Sequence, residues 1–144
     1  MLKAISLSSL ALMVLAILGL FASDSLFSSS PAVIGVQCLA AALMIWARLT
    51  FGLRSFHPAA NPTKGGLVTT GPYRFIRHPI YTAGCLFTWA SIFSHLSLKA
   101  LALGLLMILG ALGRMLCEER LVAQKYPAYR DYARLTKRMI PYIF

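Results

Sequence analysis

Two adjacent carboxylates are the residues of this 144-residue chain whose chemistry is easiest to interpret. Glu118 and Glu119 are two of only four acidic residues, in a chain that has 14 lysines and arginines. Such a pair can hold a cation or accept several hydrogen bonds from a polar ligand. Helix neighbours project about 100° apart, so we expect one carboxylate to contact a ligand while the other orients a neighbour or binds a second ligand group. The alternative is simple pairing with Arg114 and Arg120.

A second group of candidate residues lies about forty positions earlier. Tyr81 follows His78 by three residues, which places both side chains on one face if a helix begins at Pro79. Proline suits the first turn of a helix. The backbone N–H groups and the positive dipole end at such a start also favour a carboxylate or a phosphate.

The composition indicates which elements position these groups. The chain is 58% hydrophobic and 12% charged, with a mean hydropathy of +0.72, whereas soluble domains have about 25% charged residues. We therefore predict an all-α integral membrane protein with a single domain, 1–144. At 1.5 Å per residue, about 20 residues cross a hydrocarbon core of about 30 Å. Four transmembrane helices are predicted, at about 4–22, 31–51, 79–94 and 100–125, with a loop at 52–78 and a short helical tail at 126–144.

The last two predicted helices must form an antiparallel hairpin, because only a few residues join them. The fourth is longer than the hydrocarbon needs, so its last turns should project from the membrane as far as Lys125. This geometry brings the end that carries Glu118 and Glu119 to the start of the third helix. We therefore expect His78 and Tyr81 to lie close to the two glutamates.

The distribution of positive charge predicts the orientation. With four crossings, Lys99 alone of the 14 cations lies on one side of the membrane. The positive-inside rule then places both termini, the 52–78 loop and the candidate site in the cytoplasm. The same charge could suggest nucleic acid as a partner, but the anionic inner leaflet explains it more economically. We expect membrane lipids as partners and no nucleic acid.

The three cysteines do not indicate a metal site. Cys38, Cys85 and Cys117 lie far apart in the chain, with no histidine at ligand spacing. We interpret them as small buried hydrophobic residues and predict no metal.

Two segments carry a resemblance to a known family. Residues 71–81 read Gly-Pro-Tyr-Arg-Phe-Ile-Arg-His-Pro-Ile-Tyr, and residues 118–121 read Glu-Glu-Arg-Leu, followed by three tyrosines and an Ile-Pro pair at 140–141. This pattern resembles the isoprenylcysteine carboxyl methyltransferase family, which also includes the phospholipid methyltransferases. The resemblance covers roughly residues 50–144, and the first two helices match only as hydrophobic segments.

The resemblance implies an integral membrane methyltransferase that uses S-adenosylmethionine without a Rossmann domain. No Gly-x-Gly-x-x-Gly motif is present in the chain. Carried over position by position, the resemblance implies that the cofactor-binding residues are Gly71 and Tyr73, which shape the loop, His78 and Tyr81, which line the pocket, and Glu118 and Glu119, which bind the amino group or the ribose hydroxyls.

The acceptor is expected to be lipophilic, and we expect a carboxylate of the isoprenylcysteine type. A carboxylate is already ionised and needs no base, so Arg74 or Arg77 would hold it, with Arg77 and His78 as catalytic candidates. A lipid amine is the alternative acceptor. It would need a base, for which His78, Tyr81 or one glutamate is the candidate.

Two other functions compete with methyl transfer. A membrane reductase of the steroid-reductase type would also bind a nucleotide cofactor at the cytoplasmic helix ends, but the short tail and the glutamate pair disfavour it. A small four-helix transporter would need an ionisable residue in the middle of the membrane, and the predicted spans show none.

Overall fold

The computed structural model describes residues 1–52 and 66–144. In these ranges the chain forms five α-helices, and a 3₁₀ turn at Gly71–Arg74 lies between the second and the third. The helices are α1 (Leu2–Ala22), α2 (Pro31–Phe51), α3 (Pro79–Ser94), α4 (Leu98–Lys125) and α5 (Tyr129–Leu135). The predicted all-α class is confirmed, and the four predicted helix ranges agree within two residues at each end. Residues 53–65 of the predicted 52–78 loop lie outside the described residues.

Three of the described helices, α1, α2 and α4, are long and apolar enough to cross a membrane. Many of their large apolar side chains face outward, among them Leu39, Leu49 and Leu109. Such surfaces need an apolar solvent, which a bilayer provides. Helix α3 has 16 residues, about 24 Å at helical rise, and is therefore shorter than a typical hydrocarbon core.

The helix boundaries follow from local chemistry. Pro31 and Pro79 occupy the first turns of α2 and α3, where no intrahelical N–H bond is lost. Ser97 caps α4, because its Oγ accepts a hydrogen bond from Ala100 N at 3.1 Å. Pro127 comes two residues after the end of α4 and cannot continue a helix. The short α3–α4 connection makes these two helices antiparallel, as predicted.

Small residues set how closely the helices approach. Helix α1 packs along α4, while α2 packs along α3. A Cβ atom on Gly110 would lie 2.7 Å from the Ser9 carbonyl oxygen and 2.6 Å from Met13 Cγ. One on Gly104 would lie 2.7 Å from Ile92 Cδ1. The backbones of α1, α3 and α4 therefore approach because these positions lack side chains.

One buried amide joins the other two helices. Gln37 on α2 donates from Nε2 to Ser91 Oγ on α3 at 2.6 Å and to the Leu26 carbonyl at 2.9 Å. Its side-chain N–H groups are thus satisfied inside an apolar surrounding, where an unpaired donor would be costly.

The α1–α4 contact yields a first prediction. We expect Gly110→Ala to destabilise the folded protein by about 1–3 kcal/mol, because the added methyl group overlaps backbone and side-chain atoms of α1. The free energy of unfolding in mixed micelles with increasing dodecyl sulfate measures the effect. Gly35→Ala is the matched control, since a Cβ there meets no atom within 4 Å. Equal stabilities of the two variants would contradict the close approach.

Candidate active site

The α3–α4 hairpin brings together the ionisable residues that the sequence singled out. Tyr81 donates a hydrogen bond from its hydroxyl to Glu118 Oε1 at 2.5 Å. His78 Nε2 lies 3.3 Å from Glu119 Oε1. The predicted proximity of these four side chains is confirmed, and His78 and Tyr81 also share ring contact, with centroids 5.7 Å apart.

Glu119 is the centre of an ionic junction with three partners. Arg77 donates from Nε to Oε1 at 3.1 Å, and Arg138 donates from Nη2 to Oε2 at 3.0 Å. Together with His78, these contacts occupy both carboxylate oxygens. The Glu119 side chain is 13% exposed, so its charge is stabilised by protein groups more than by water. Arg138 was not among the residues assigned to the site from the sequence.

Glu118 has a different surrounding. Tyr81 and Arg114 both donate to Oε1, Arg114 from Nη2 at 3.1 Å. Arg114 also donates from Nε to the Tyr81 hydroxyl oxygen at 2.8 Å, which closes a triangle. The other oxygen, Oε2, has His78 Nδ1 at 3.8 Å, beyond ordinary hydrogen-bond distance. The Glu118 side chain is 27% exposed. Its Oε2 therefore retains capacity to accept a bond from a ligand.

Arg77 contacts the tail as well as Glu119. Its Nη1 donates to the carbonyl oxygen of Ala133 at 2.9 Å and also to that of Thr136. These carbonyls are at the C-terminal end of α5, where helical acceptors lack intrahelical donors. The Arg77 guanidinium thus connects α5 to Glu119. The substrate and catalytic roles expected for Arg77 stay predictions, and the contacts in the structure are those of a positioning residue.

The tail after α5 runs directly over the start of α3. The Arg77 amide donates to the Lys137 carbonyl at 2.7 Å, and the His78 amide donates to the Arg138 carbonyl at 2.9 Å. Thr82 Oγ1 donates to the Met139 carbonyl at 3.0 Å. This backbone pairing is of the parallel type between Ile76 and Lys137. The tail is therefore a structural part of the site.

Gly71 and Tyr73 shape the segment that leads into the site. Gly71 has φ +56°, and a Cβ atom there would lie 2.5 Å from Thr50 Oγ1, so both conformation and space require glycine. Tyr73 is buried against Phe51, with ring centroids 5.5 Å apart, and its carbonyl accepts a bond from the Tyr132 hydroxyl at 2.7 Å. Neither residue is in hydrogen-bond contact with the glutamates in the described structure. Their cofactor-binding role stays a prediction.

Three tyrosines around the tail have hydroxyl groups that stay neutral at ordinary pH. Burial raises the pKa of Tyr73 and Tyr129 well above the ordinary value and that of Tyr132 to about 12. The nearby charge of Glu119 raises the pKa of Tyr129 further. Yet the buried Tyr129 hydroxyl has no partner at hydrogen-bond distance and angle among the described residues. Its burial beside Glu119 was not predictable from its position in a basic tail.

Arg74 lies apart from the ionic junction. Its guanidinium is 5.9 Å from the centroid of the Phe75 ring, and it lines a cavity together with Leu135 and Lys137. The structure therefore separates Arg74 from Arg77, which the sequence analysis treated as alternatives for the same substrate role.

The Glu119 junction yields a second prediction. We expect Glu119→Gln to lower the hydrogen-exchange protection of the Arg77 and His78 amides at least tenfold, because Arg77 and Arg138 lose the charge that holds the tail. Exchange of the peptide that contains residues 76–78 measures this. Asp131→Asn is the matched control, because its pair with Arg134 is exposed and should contribute little. Unchanged protection in Glu119→Gln would show that the junction does not hold the tail.

Comparison with known proteins identifies a family for the chain. The family model described as phospholipid methyltransferase matches residues 32–129. The match includes α2, which the resemblance in motifs had covered only as a hydrophobic segment, and it ends at the first residue of α5. No curated protein and no solved structure matches the chain. A family match over this share of the chain, with apolar helices of membrane-spanning length, shows that this integral membrane protein belongs to the phospholipid methyltransferase family.

Proposed function

We propose that this protein is an S-adenosylmethionine-dependent methyltransferase that acts on a lipophilic acceptor in the membrane. Membership in the family supports methyl transfer as the reaction. The observation that carries the proposal is the different bonding of the two glutamates, which lie where the last turns of α4 meet the start of α3. Glu119 is occupied by three protein partners, whereas Glu118 Oε2 is open to a ligand.

The hydrogen-bonding groups around Glu118 suit the cofactor. The Glu118 carboxylate suits its ammonium group, and the Tyr129 hydroxyl is a buried polar group beside Glu119 with no partner at ordinary hydrogen-bond distance and angle among the described residues. His78 and Tyr81 would line the same space, next to the segment shaped by Gly71 and Tyr73. When bound, S-adenosylmethionine supplies an electrophilic methyl group on a sulfonium centre.

The protein's own contribution is alignment and exclusion of water. Glu119 acts through Arg77 and Arg138, which hold the tail over the start of α3. Tyr81 and Arg114 fix the Glu118 carboxylate through the triangle at Oε1. The open oxygen of Glu118 is thereby held in one orientation before a ligand arrives.

A lipid amine is the acceptor that we favour. An ammonium group must lose a proton before its nitrogen can attack, and we assign His78 as the group that accepts it. Its two ring nitrogens lie 3.8 and 3.3 Å from oxygens of Glu118 and Glu119, respectively. The matching family, phospholipid methyltransferase, supports this acceptor class.

A carboxylate of the isoprenylcysteine type is the second candidate acceptor. The observation in its favour is Arg74, which borders a cavity and forms no ion pair within the described residues. Arg77 supports it less, because its Nε and Nη1 already donate to Glu119 and to carbonyls of the tail.

Cofactor binding provides the third prediction. We expect Glu118→Gln to weaken binding of S-adenosylhomocysteine roughly tenfold or more, since a hydrogen bond to a charged group contributes about 1.5–3 kcal/mol. Calorimetry on the purified protein in detergent measures this affinity. Asp24→Asn serves as the control, because it removes an acid that lies just after the C-terminal end of α1.

Three results would count against the proposal. Unchanged affinity in Glu118→Gln would remove the cofactor assignment for that carboxylate. Binding of a nicotinamide nucleotide in place of S-adenosylhomocysteine would favour a reductase. Transfer of labelled methyl groups to prenylcysteine analogues, with none to phosphatidylethanolamine, would favour the carboxylate acceptor.

We also propose that the chain crosses the membrane four times, with both termini and the site in the cytoplasm. Helix α3 would span the bilayer by local thinning, because its 16 residues are fewer than usual. The support is the distribution of Lys and Arg, which leaves only Lys99 outside. We expect green fluorescent protein fused to the C-terminus to fluoresce, while a periplasmic phosphatase at the same place stays inactive. The reverse pattern would contradict this orientation.

A further inference from the structure

Exposed side chains of the tail form one surface with the segment that precedes α3. We call this group the tail surface. Its six residues line a single cavity: Arg74, Phe75, Leu135, Lys137, Pro141 and Tyr142. Leu135 is 87% exposed and Tyr142 is 89% exposed, although neither belongs to a long helix. A cluster of exposed apolar groups is typical of a contact surface.

The tail surface is also positively charged. It includes Arg74 and Lys137, and none of the four acids of the chain lines the cavity. The arginines that pair with carboxylates in the described part of the chain are different ones, namely Arg77, Arg114, Arg134 and Arg138. The charge of the tail surface is therefore available to an anionic partner.

Contacts with α3 place the tail at the depth of the first turn of that helix. The Lys137 carbonyl accepts a bond from the Arg77 amide at 2.7 Å, and the Met139 carbonyl accepts one from Thr82 Oγ1 at 3.0 Å. Helix α3 has only 16 residues. In the four-crossing arrangement proposed above, so short a helix begins no farther out than the boundary of the hydrocarbon. The tail beside its first turn then lies in the interfacial layer of the membrane.

The interfacial layer of an anionic leaflet complements both properties of the tail surface. Such a layer attracts basic residues and accepts aromatic and apolar side chains. Ile143, next to Tyr142, is 76% exposed and would extend the apolar contact. A soluble acidic protein would also match the charge, but it would have to reach a segment that lies at the lipid boundary. The observations therefore favour an anionic lipid surface as the partner.

We propose that the tail surface docks on anionic lipid head groups, and that this docking stabilises the closed arrangement, in which the tail is bonded to the start of α3. A partner shifts an equilibrium only if it binds one state better than the other. Arg74 precedes α3, whereas Leu135 and Lys137 follow α4. The tail surface is thus complete only while the tail lies in place, so an anionic leaflet binds the closed arrangement better than an open one.

The docked lipid has a role separate from that of a methyl acceptor. It contacts the protein through its negative charge and its apolar part, and it needs no amine. The inference goes beyond the proposed reaction and rests only on the four-crossing topology proposed with it. Its consequence is that the charge of the leaflet controls how often the tail leaves the start of α3.

The test compares the full chain in two kinds of lipid nanodisc with the same acyl chains. One contains phosphatidylcholine alone, and in the other about one third of it is replaced by phosphatidylglycerol, which is anionic and has no amine. Hydrogen exchange of the peptide with residues 76–78 is the measurement, because the Arg77 and His78 amides donate to the tail. We expect protection to be roughly threefold or more greater in the anionic nanodiscs.

Two double variants assign the effect to the tail surface. Arg74→Gln/Lys137→Gln should keep the protection measured in neutral nanodiscs and lose the increase in anionic ones. The matched control is Lys3→Gln/Arg120→Gln, which removes two exposed cations outside the tail surface. This control has the same net charge as the first variant and should keep the increase.

Three results would overturn the assignment. Equal protection in the two nanodiscs would show that the tail does not respond to anionic lipid. Equal losses in the two double variants would mean that the response follows overall charge. The same increase on adding polyglutamate to neutral nanodiscs would indicate an acidic protein as the partner. Titration with S-adenosylhomocysteine in neutral nanodiscs is a separate readout, since failure to bind would contradict the proposed function and leave the exchange result interpretable.

Discussion

The carboxylate of Glu119 is the group on which the rest of the site depends. It lies between the start of α3, through Arg77 and His78, and the tail, through Arg138. A partly buried carboxylate loses hydration, and that loss is offset only if its partners satisfy both oxygens. Here they do. The junction therefore joins segments that are distant in sequence, and it holds the tail together with the packing of Met139 against the core.

The adjacent carboxylate has a different role because of helix geometry. Neighbouring side chains project about 100° apart, so Glu118 faces Tyr81 and Arg114 while Glu119 faces Arg77 and Arg138. One carboxylate is occupied on both oxygens, and the other is held at Oε1 with Oε2 open. A division of this kind lets a small membrane protein hold its site together and still offer a negative group to a ligand.

The sequence predicted the helices and the meeting of His78 and Tyr81 with the glutamates, because both follow from local rules. Apolar length sets each helix, Pro79 starts α3, and a short connection makes the hairpin antiparallel. The path of the tail was not predictable, because it depends on contacts between residues far apart in the chain. Arg138 looked like one of many basic tail residues, and nothing in the sequence placed Tyr129 beside Glu119. Arg77 was expected at a substrate, and its contacts with α5 become visible only when α5 is in place.

The choice of acceptor depends on what the site can supply to each. A carboxylate acceptor is already ionised and needs a cation to hold it, but Arg77 already donates to Glu119 and to carbonyls of the tail. An amine acceptor needs a group that accepts a proton, and His78 lies at the start of α3 with its ring nitrogens facing the two glutamates. These groups suit an amine better than a carboxylate, which is why we favour a lipid amine.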